Sequence, residues 1–261
     1  MGRRDREPRQ QGGPRGRAGA ALVLLLWLCG CATTPPSPST VYDPIEPVNR
    51  AVFEFNRVVD GILIKPIAEL YGLVVPSPIR TGVRNFLANL RSPIIFANDL
   101  LQGETERAGT TLGRFMINTT IGLGGVLDPA TALGRERHDE DLGQTLAVWG
   151  VGDGPYLVLP ILGPSNLRDL AGRIGDRFAN PLPYLDDDSY WIAQAAGEGV
   201  QARYDALDLL DDLERNSLDF YAAVRAIYAQ RRAADIRNGR LSVDDQRYDE
   251  IFSDDEIAPA P

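Results

Sequence analysis

Cysteine, histidine and lysine are almost missing from this 261-residue sequence, and each scarcity removes a class of chemistry. The only cysteines, Cys29 and Cys31, sit near the start, so the body of an exported chain could form no disulfide. His138 is the sole histidine, which excludes every two-histidine metal site and any relay through a second imidazole. Lys65 is the one lysine beside 26 arginines, a bias of coding composition rather than of chemistry. Long apolar runs are missing too: the longest, Ala18–Gly30, counts 13 residues, whereas a spanning helix needs about 20. Cations do not prevail either. The formal net charge is −9, which sets nucleic acid aside as a partner.

What is present suits one globular domain, with 44% hydrophobic residues to build a core. The charge is uneven. Residues 1–31 carry +4, residues 186–261 carry −10 from 18 acids and eight arginines, and the stretch between is close to neutral at −3.

A basic segment, Arg3 to Arg17, precedes the apolar run Ala18 to Leu28, the order of a secretory leader. The run closes on Leu28-Cys29-Gly30-Cys31, which resembles the bacterial lipobox. That resemblance implies cleavage after Gly30, diacylglycerol on the Cys31 sulfur and an acyl chain on its new amine; no other cofactor is expected. A plain signal peptide with two incidental cysteines is the alternative. Ala32, in lipoproteins of this type, implies passage to the outer membrane. Thr33 to Thr40 is Pro, Ser and Thr only, and residues 31–42 read as a flexible tether.

Asp43-Pro44, Ser77-Pro78, Ser92-Pro93 and Asp128-Pro129 each place a capping side chain before proline and predict a helix start. Val48, Val52, Phe55 and Val59 define one apolar face of the first helix, whose first turn is also consistent with a start at Pro47. Ser92 opens a short piece to Leu101, and Glu104 to Ile121 reads as a further helix. Ser165 is expected to cap the next helix, Ser189 to open a longer one through Leu210, and Leu213 to start a last one ending near Arg232. Beyond Ala233 the period fades, so residues 233–261 read as a loose acidic tail. Three charge-free windows, Tyr71–Ile79, Phe115–Leu127 and Pro155–Leu167, are too short to cross a bilayer; they fit helices in one leaflet or a soluble core. Tyr156 to Pro160 reads equally as a strand arm or a turn.

Catalytic signatures fail. Gly163-Pro164-Ser165-Asn166 starts like a nucleophile elbow, but Leu167 stands where glycine is required. His138 lies in a charged turn that is solvated by default, and Asp186-Asp187-Asp188 before Ser189 is more simply negative charge at a helix N-terminus than a cation site. No Gly-Lys-Ser/Thr accompanies the glycine clusters, so no phosphate loop is indicated.

Asp43-Pro44-Ile45-Glu46-Pro47-Val48-Asn49-Arg50 with Phe55-Asn56 resembles the MlaA/VacJ family of outer-membrane lipoproteins. Arg84-Asn85-Phe86, Leu101-Gln102-Gly103, Arg114-Phe115 with Asn118-Thr119, Gly143-Gln144-Thr145-Leu146 and Trp149 to Tyr156 follow in the family's order, over residues 43–232. The resemblance implies a mainly α, ring-shaped body with a possible small hairpin, seated from the periplasmic side in the inner leaflet of the outer membrane around an amphipathic channel. It also implies removal of mislocalised phospholipid from the outer leaflet, association with a trimeric porin, delivery to a soluble periplasmic carrier, and no enzymatic activity. A structural envelope lipoprotein, or a hydrolase of envelope lipid or glycan, are the competing readings.

Residues then acquire expected roles. A headgroup requires polar partners, so Arg114, Asn118, Arg168 and Asp169 are expected along a hydrated path; a surface pair and a helix cap are the alternative. Gly150, Gly152 and Gly154 would let the Tyr156–Leu162 arm bend against the channel. The resemblance suggests that Phe55 and Asn56 help to control the opening.

Overall fold

Proline sets the first corners of the chain. The computed structural model describes residues 41–179 and 189–240. The Cys31 anchor, the leader and tether up to Thr40, Asp186–Asp188 and the tail beyond Arg240 lie outside the described residues. Helix α1 spans Glu46–Val59 with Pro47 in its first turn, where a missing amide hydrogen costs nothing. Its buried residues are Asn49 and Phe53, whereas Val48 and Phe55 are exposed, so the expected apolar face is corrected. Val52, from the same expected face, packs against the core cluster, so the apolar period is split between the two sides.

The chain runs from α1 through a widened turn, Asp60–Ile64, into α2, Lys65–Val74. Pro66 accounts for the widening. It has no hydrogen for the Ile62 carbonyl and its ring crowds that turn, and the Lys65 amide bonds back five residues to Asp60. Helix α3, Ser77–Leu101, continues through Pro93, so Ser92 starts no helix; its hydroxyl instead donates to the Ala88 carbonyl at 3.5 Å. Helix α4, Thr105–Thr120, matches the expected segment and packs against α3. Of the four dipeptides Ser77-Pro78 opens a helix where expected, without a side-chain cap bond, and Asp128-Pro129 both opens and caps one: Asp128 accepts the Thr131 amide at 3.2 Å at the start of the single turn α5, Pro129–Ala132. A helix the sequence did not announce, α6 at Leu142–Val148, is capped by Asp141, which accepts the Gln144 amide at 2.9 Å.

Strands β1, Tyr156–Leu159, and β2, Gly163–Asn166, form an antiparallel hairpin with Tyr156 opposite Asn166 and Leu159 opposite Gly163. Ser165 therefore lies in a strand and is no helix cap. Asn166 takes that role for α7, Leu167–Ala179, accepting the Asp169 amide at 2.7 Å. The expected long helix from Ser189 breaks at Ala206 into α8, Ser189–Asp205, and α9, Leu207–Asn216. Helix α10, Phe220–Ile236, starts later than Leu213 because Asp219 supplies its cap, accepting the Ala222 amide at 3.1 Å, and it runs past Arg232, so the start of the expected loose tail, residues 233–236, is helix instead. The fold is mainly α with one small hairpin, as expected.

The three charge-free windows prove to be corners of the chain, the first two formed largely by the ends of helices and none a separate helix. Tyr71–Ile79 bridges α2 and α3, Phe115–Leu127 is the end of α4 and the turns after it, and Pro155–Leu167 is the hairpin. Leu73, Ile121, Leu123, Ile161 and Leu162 project from them, all more than 60% exposed. Among the described residues, only eight apolar residues are buried against 16 polar or charged ones, while 34 large apolar side chains are exposed. This inverts the usual distribution in a water-soluble domain. The principal apolar cluster is aromatic: Phe53, Tyr156, Val158 and Tyr221, with Phe53 edge-on to Phe220 at 5.3 Å and to Tyr221 at 5.5 Å.

Candidate functional site

Three groups of buried polar side chains bear on the expected site residues. The first joins α1 to the hairpin. Asn49 donates to the Tyr156 carbonyl and accepts the Val158 amide, both at 2.9 Å; its amide nitrogen also reaches Asp43 at 2.8 Å. Asn56, seven residues on and so on the same helix face, donates to the Leu159 carbonyl at 2.9 Å and accepts the Ile161 amide at 2.8 Å. Two side-chain amides thus act as a surrogate strand along β1. Ile161, at the hairpin tip, has φ of +66°, a strained value for a β-branched residue, and Asn56 holds its amide. Phe55, beside Asn56, faces outward with 52% of its surface exposed.

Gly150, Gly152 and Gly154 lie in the connection before β1, not in the hairpin. Gly150 closes α6: its amide bonds the Ala147 carbonyl and the Val151 amide bonds that of Leu146, both at 2.9 Å, with Gly150 at φ +91°. Gly154 is also left-handed, at +67°, while Gly152 has open space around its α-carbon and no positive φ.

The second group is built on α3, α4 and the segment after α5. Arg114, nearly buried, donates to Asp128 at 2.8 Å, to the Thr131 hydroxyl at 2.9 Å and to the Arg135 carbonyl. Asn118 donates to the other Asp128 oxygen at 2.9 Å and accepts the Ala130 amide at 3.1 Å. Burial opposes ionisation of Asp128, but the hydrogen bonds from Thr131, Arg114 and Asn118 outweigh it and hold the carboxyl down at about 2. Arg114, Asn118 and Asp128 border a small polar depression, open to solvent, that Asn89, Arg137 and His138 also line. His138 is not in a solvated turn. Its Nε2 lies 3.0 Å from the buried Asp99 carboxylate and 3.1 Å from the Thr111 hydroxyl, which donates to Asp99 at 2.6 Å.

The third group is closed. Arg168 and Asp169, both 5% exposed, are not a surface pair. Arg168 binds Asp169 at 2.9 Å and also pairs with Asp153, while Asp169 accepts from Asn166 at 3.1 Å, from the Tyr228 hydroxyl and from Arg232 at 3.0 Å. Arg232 continues to Asp141 at 2.6 Å. Burial and the Asp169 hydrogen bond both push the Tyr228 hydroxyl up. The four expected polar residues therefore divide, Arg114 and Asn118 at an open cavity and Arg168 and Asp169 in a sealed network tying β2 and α7 to α10.

Among the described residues, no group of three His, Cys, Asp or Glu side chains is placed to hold a metal, and no helix is long and apolar enough to cross a membrane.

Comparison with known proteins identifies this arrangement. The sequence model of the MlaA lipoprotein family matches residues 41–235. The chain belongs to that family. It is 34% identical to the intermembrane phospholipid transport system lipoprotein MlaA of Escherichia coli (strain K12), over 92% of this chain and 96% of that one. The Haemophilus influenzae protein of the same name is 33% identical over 85% and 90%, and an uncharacterised Rickettsia bellii protein is 38% identical over 76% and 78%. A solved structure described as "Structural basis for maintenance of bacterial outer membrane lipid asymmetry" superposes with a TM-score of 0.69 at 36% identity, covering 74% of this chain and 98% of that one. The named relatives are transport-system lipoproteins rather than enzymes.

Sequence reasoning missed Asn49, Asn89, Arg137 and the pairing of His138. Asn49 and Asn56 did leave a signal, two amides spaced seven apart on a helix.

Proposed function

We propose that this chain is an outer-membrane lipoprotein, anchored by acyl chains on Cys31, that withdraws mislocalised phospholipid from the outer leaflet through an amphipathic channel and passes it to a soluble periplasmic carrier, alongside a trimeric porin. The inverted polarity carries the reading: exposed apolar side chains suit lipid tails, and buried polar ones suit a headgroup path. The family membership supports phospholipid as the cargo.

The hairpin is the gate in this proposal. Its strained, apolar tip is tied to α1 by Asn56, so opening requires release of two hydrogen bonds. Gly152 and Gly154 provide the bend, Phe55 bears on the opening from outside, and Arg114 and Asn118 line the path at the polar cavity, while Arg168 and Asp169 hold the hairpin side to α10.

The test measures outer-leaflet phospholipid in cells that lack the protein and in cells complemented with wild-type, Cys31→Ser or Asn56→Ala chains. Wild type lowers the signal, Cys31→Ser fails to, being unprocessed and mislocalised, and Asn56→Ala alters passage at normal abundance. Equal outer-leaflet phospholipid with and without the wild-type chain overturns the reading and leaves a structural lipoprotein.

A further inference from the structure

The polar cavity holds two groups that the fold itself does not use. Asn89 lines the cavity and is 6% exposed, and its buried side-chain oxygen has no hydrogen-bond partner. Its nitrogen is committed, donating to the Thr119 hydroxyl at 2.9 Å and toward the Gly124 carbonyl at 3.4 Å, which fixes the oxygen as the free end. Gly125, at φ +97°, presses on this side chain so closely that a methyl group there would meet the Asn89 amide at 2.7 Å. The acceptor is therefore clamped in place.

The other group is Arg137. Arg114 is spent on Asp128, Thr131 and a carbonyl, and the charge of Asp128 is spent on Arg114. Arg137 lines the same cavity with only a 3.7 Å contact to Asp139, an exposed carboxylate shared with Arg91 at 3.8 Å. A guanidinium held only by a long ion pair thus shares the cavity with a buried acceptor that lacks a donor.

Resting on the transport reading, we infer that this cavity is a headgroup station for a phosphodiester lipid whose headgroup ends in a hydrogen-bond donor, a hydroxyl or a primary ammonium. The phosphate meets Arg137 and the terminal donor meets Asn89. A headgroup without a donor leaves the Asn89 oxygen unpaired.

Calorimetry on the purified full-length mature protein in detergent, with dihexanoyl lipids as probes, decides this. Phosphatidylethanolamine and phosphatidylglycerol bind about tenfold more tightly than phosphatidylmethanol, which has the phosphate but no donor. Dihexanoylglycerol and inorganic phosphate bind weakly, separating a lipid headgroup from a free anion. Arg137→Gln weakens the phosphodiester lipids about tenfold and narrows their gap to dihexanoylglycerol. The lipid series leaves the protein unchanged, so misfolding cannot produce the preference. Equal affinity for phosphatidylmethanol, or inorganic phosphate binding as tightly as the lipids, overturns the inference even where cells complemented with the chain show normal outer-leaflet phospholipid. Donor preference in vitro without any effect on outer-leaflet phospholipid in cells supports the station and overturns the transport reading instead.

Discussion

Two charge clusters built from the same residue types behave differently in this molecule. Around Asp128, one guanidinium and one amide meet a carboxylate that borders an open cavity; around Asp169, two guanidiniums, a phenol and an amide enclose a carboxylate that is 5% exposed. The difference lies in which elements the ions connect. Asp128 serves a local job, capping a single turn fourteen residues after Arg114. Asp169 joins the hairpin side to α10 across 63 residues, and with Asp141 it neutralises Arg232. A local cluster can sit beside water, whereas one that seals a tertiary junction must satisfy every charge internally.

The largest effect is expected where the seal is broken. Asp169→Asn removes a charge shared by Arg168 and Arg232 and should destabilise the protein by about 3 kcal/mol, read from urea unfolding. A loss no larger than that of a surface ion pair would mean that the two clusters are energetically alike.

Asp128→Asn should cost less, on the order of 2 kcal/mol at neutral pH, because its carboxyl is held at about 2 against an ordinary value near 4. Since the folded value is depressed, this stability is present above the ordinary carboxylate range and disappears as pH falls from about 4 to about 2. Thermal unfolding of wild type and variant should converge over that window. Persistence of the full difference at the acid end would assign the effect to shape rather than charge.

The smallest effect separates the glycines before the hairpin. Gly150→Val forces a β-branched residue to φ +91° in a helix cap and should cost about 1–3 kcal/mol. Gly152→Val, in open space, should change stability by less than about 0.5 kcal/mol while stiffening the connection. Measuring protein level beside outer-leaflet phospholipid distinguishes the cap from the bend. If Gly152→Val is both abundant and fully active, bending at that residue plays no part in the gate.

Much of the local structure was legible in the chain. Asp128-Pro129 announced a cap, Thr105–Thr120 its helix, and Tyr156 to Pro160 offered a strand as one of two readings. Ser92-Pro93 and Ser165 misled, because a serine before proline and a serine before a helical period resemble caps when neither is one. At Ser92 the helix already had a preceding turn to accept the hydroxyl; at Ser165 the pairing of β2 with β1 claimed the backbone and left Asn166 to cap.

The sequence by itself determined the class of the molecule: a helical body with short charge-free apolar windows, a single histidine, a lipobox-like cysteine and no catalytic signature. Only the tertiary structure decided which way each face turns. The apolar period of α1 reads the same whether its stripe faces a protein core or a lipid tail, since both are equally apolar and periodicity carries no label for the medium. What turned Val48 and Phe55 outward was the partner on the other side, a hairpin edge whose amides and carbonyls required Asn49 and Asn56. The same holds for His138 and Arg168, which look like surface charges along the chain until Asp99 and Asp169, buried by helices distant in sequence, require a partner to offset their desolvation.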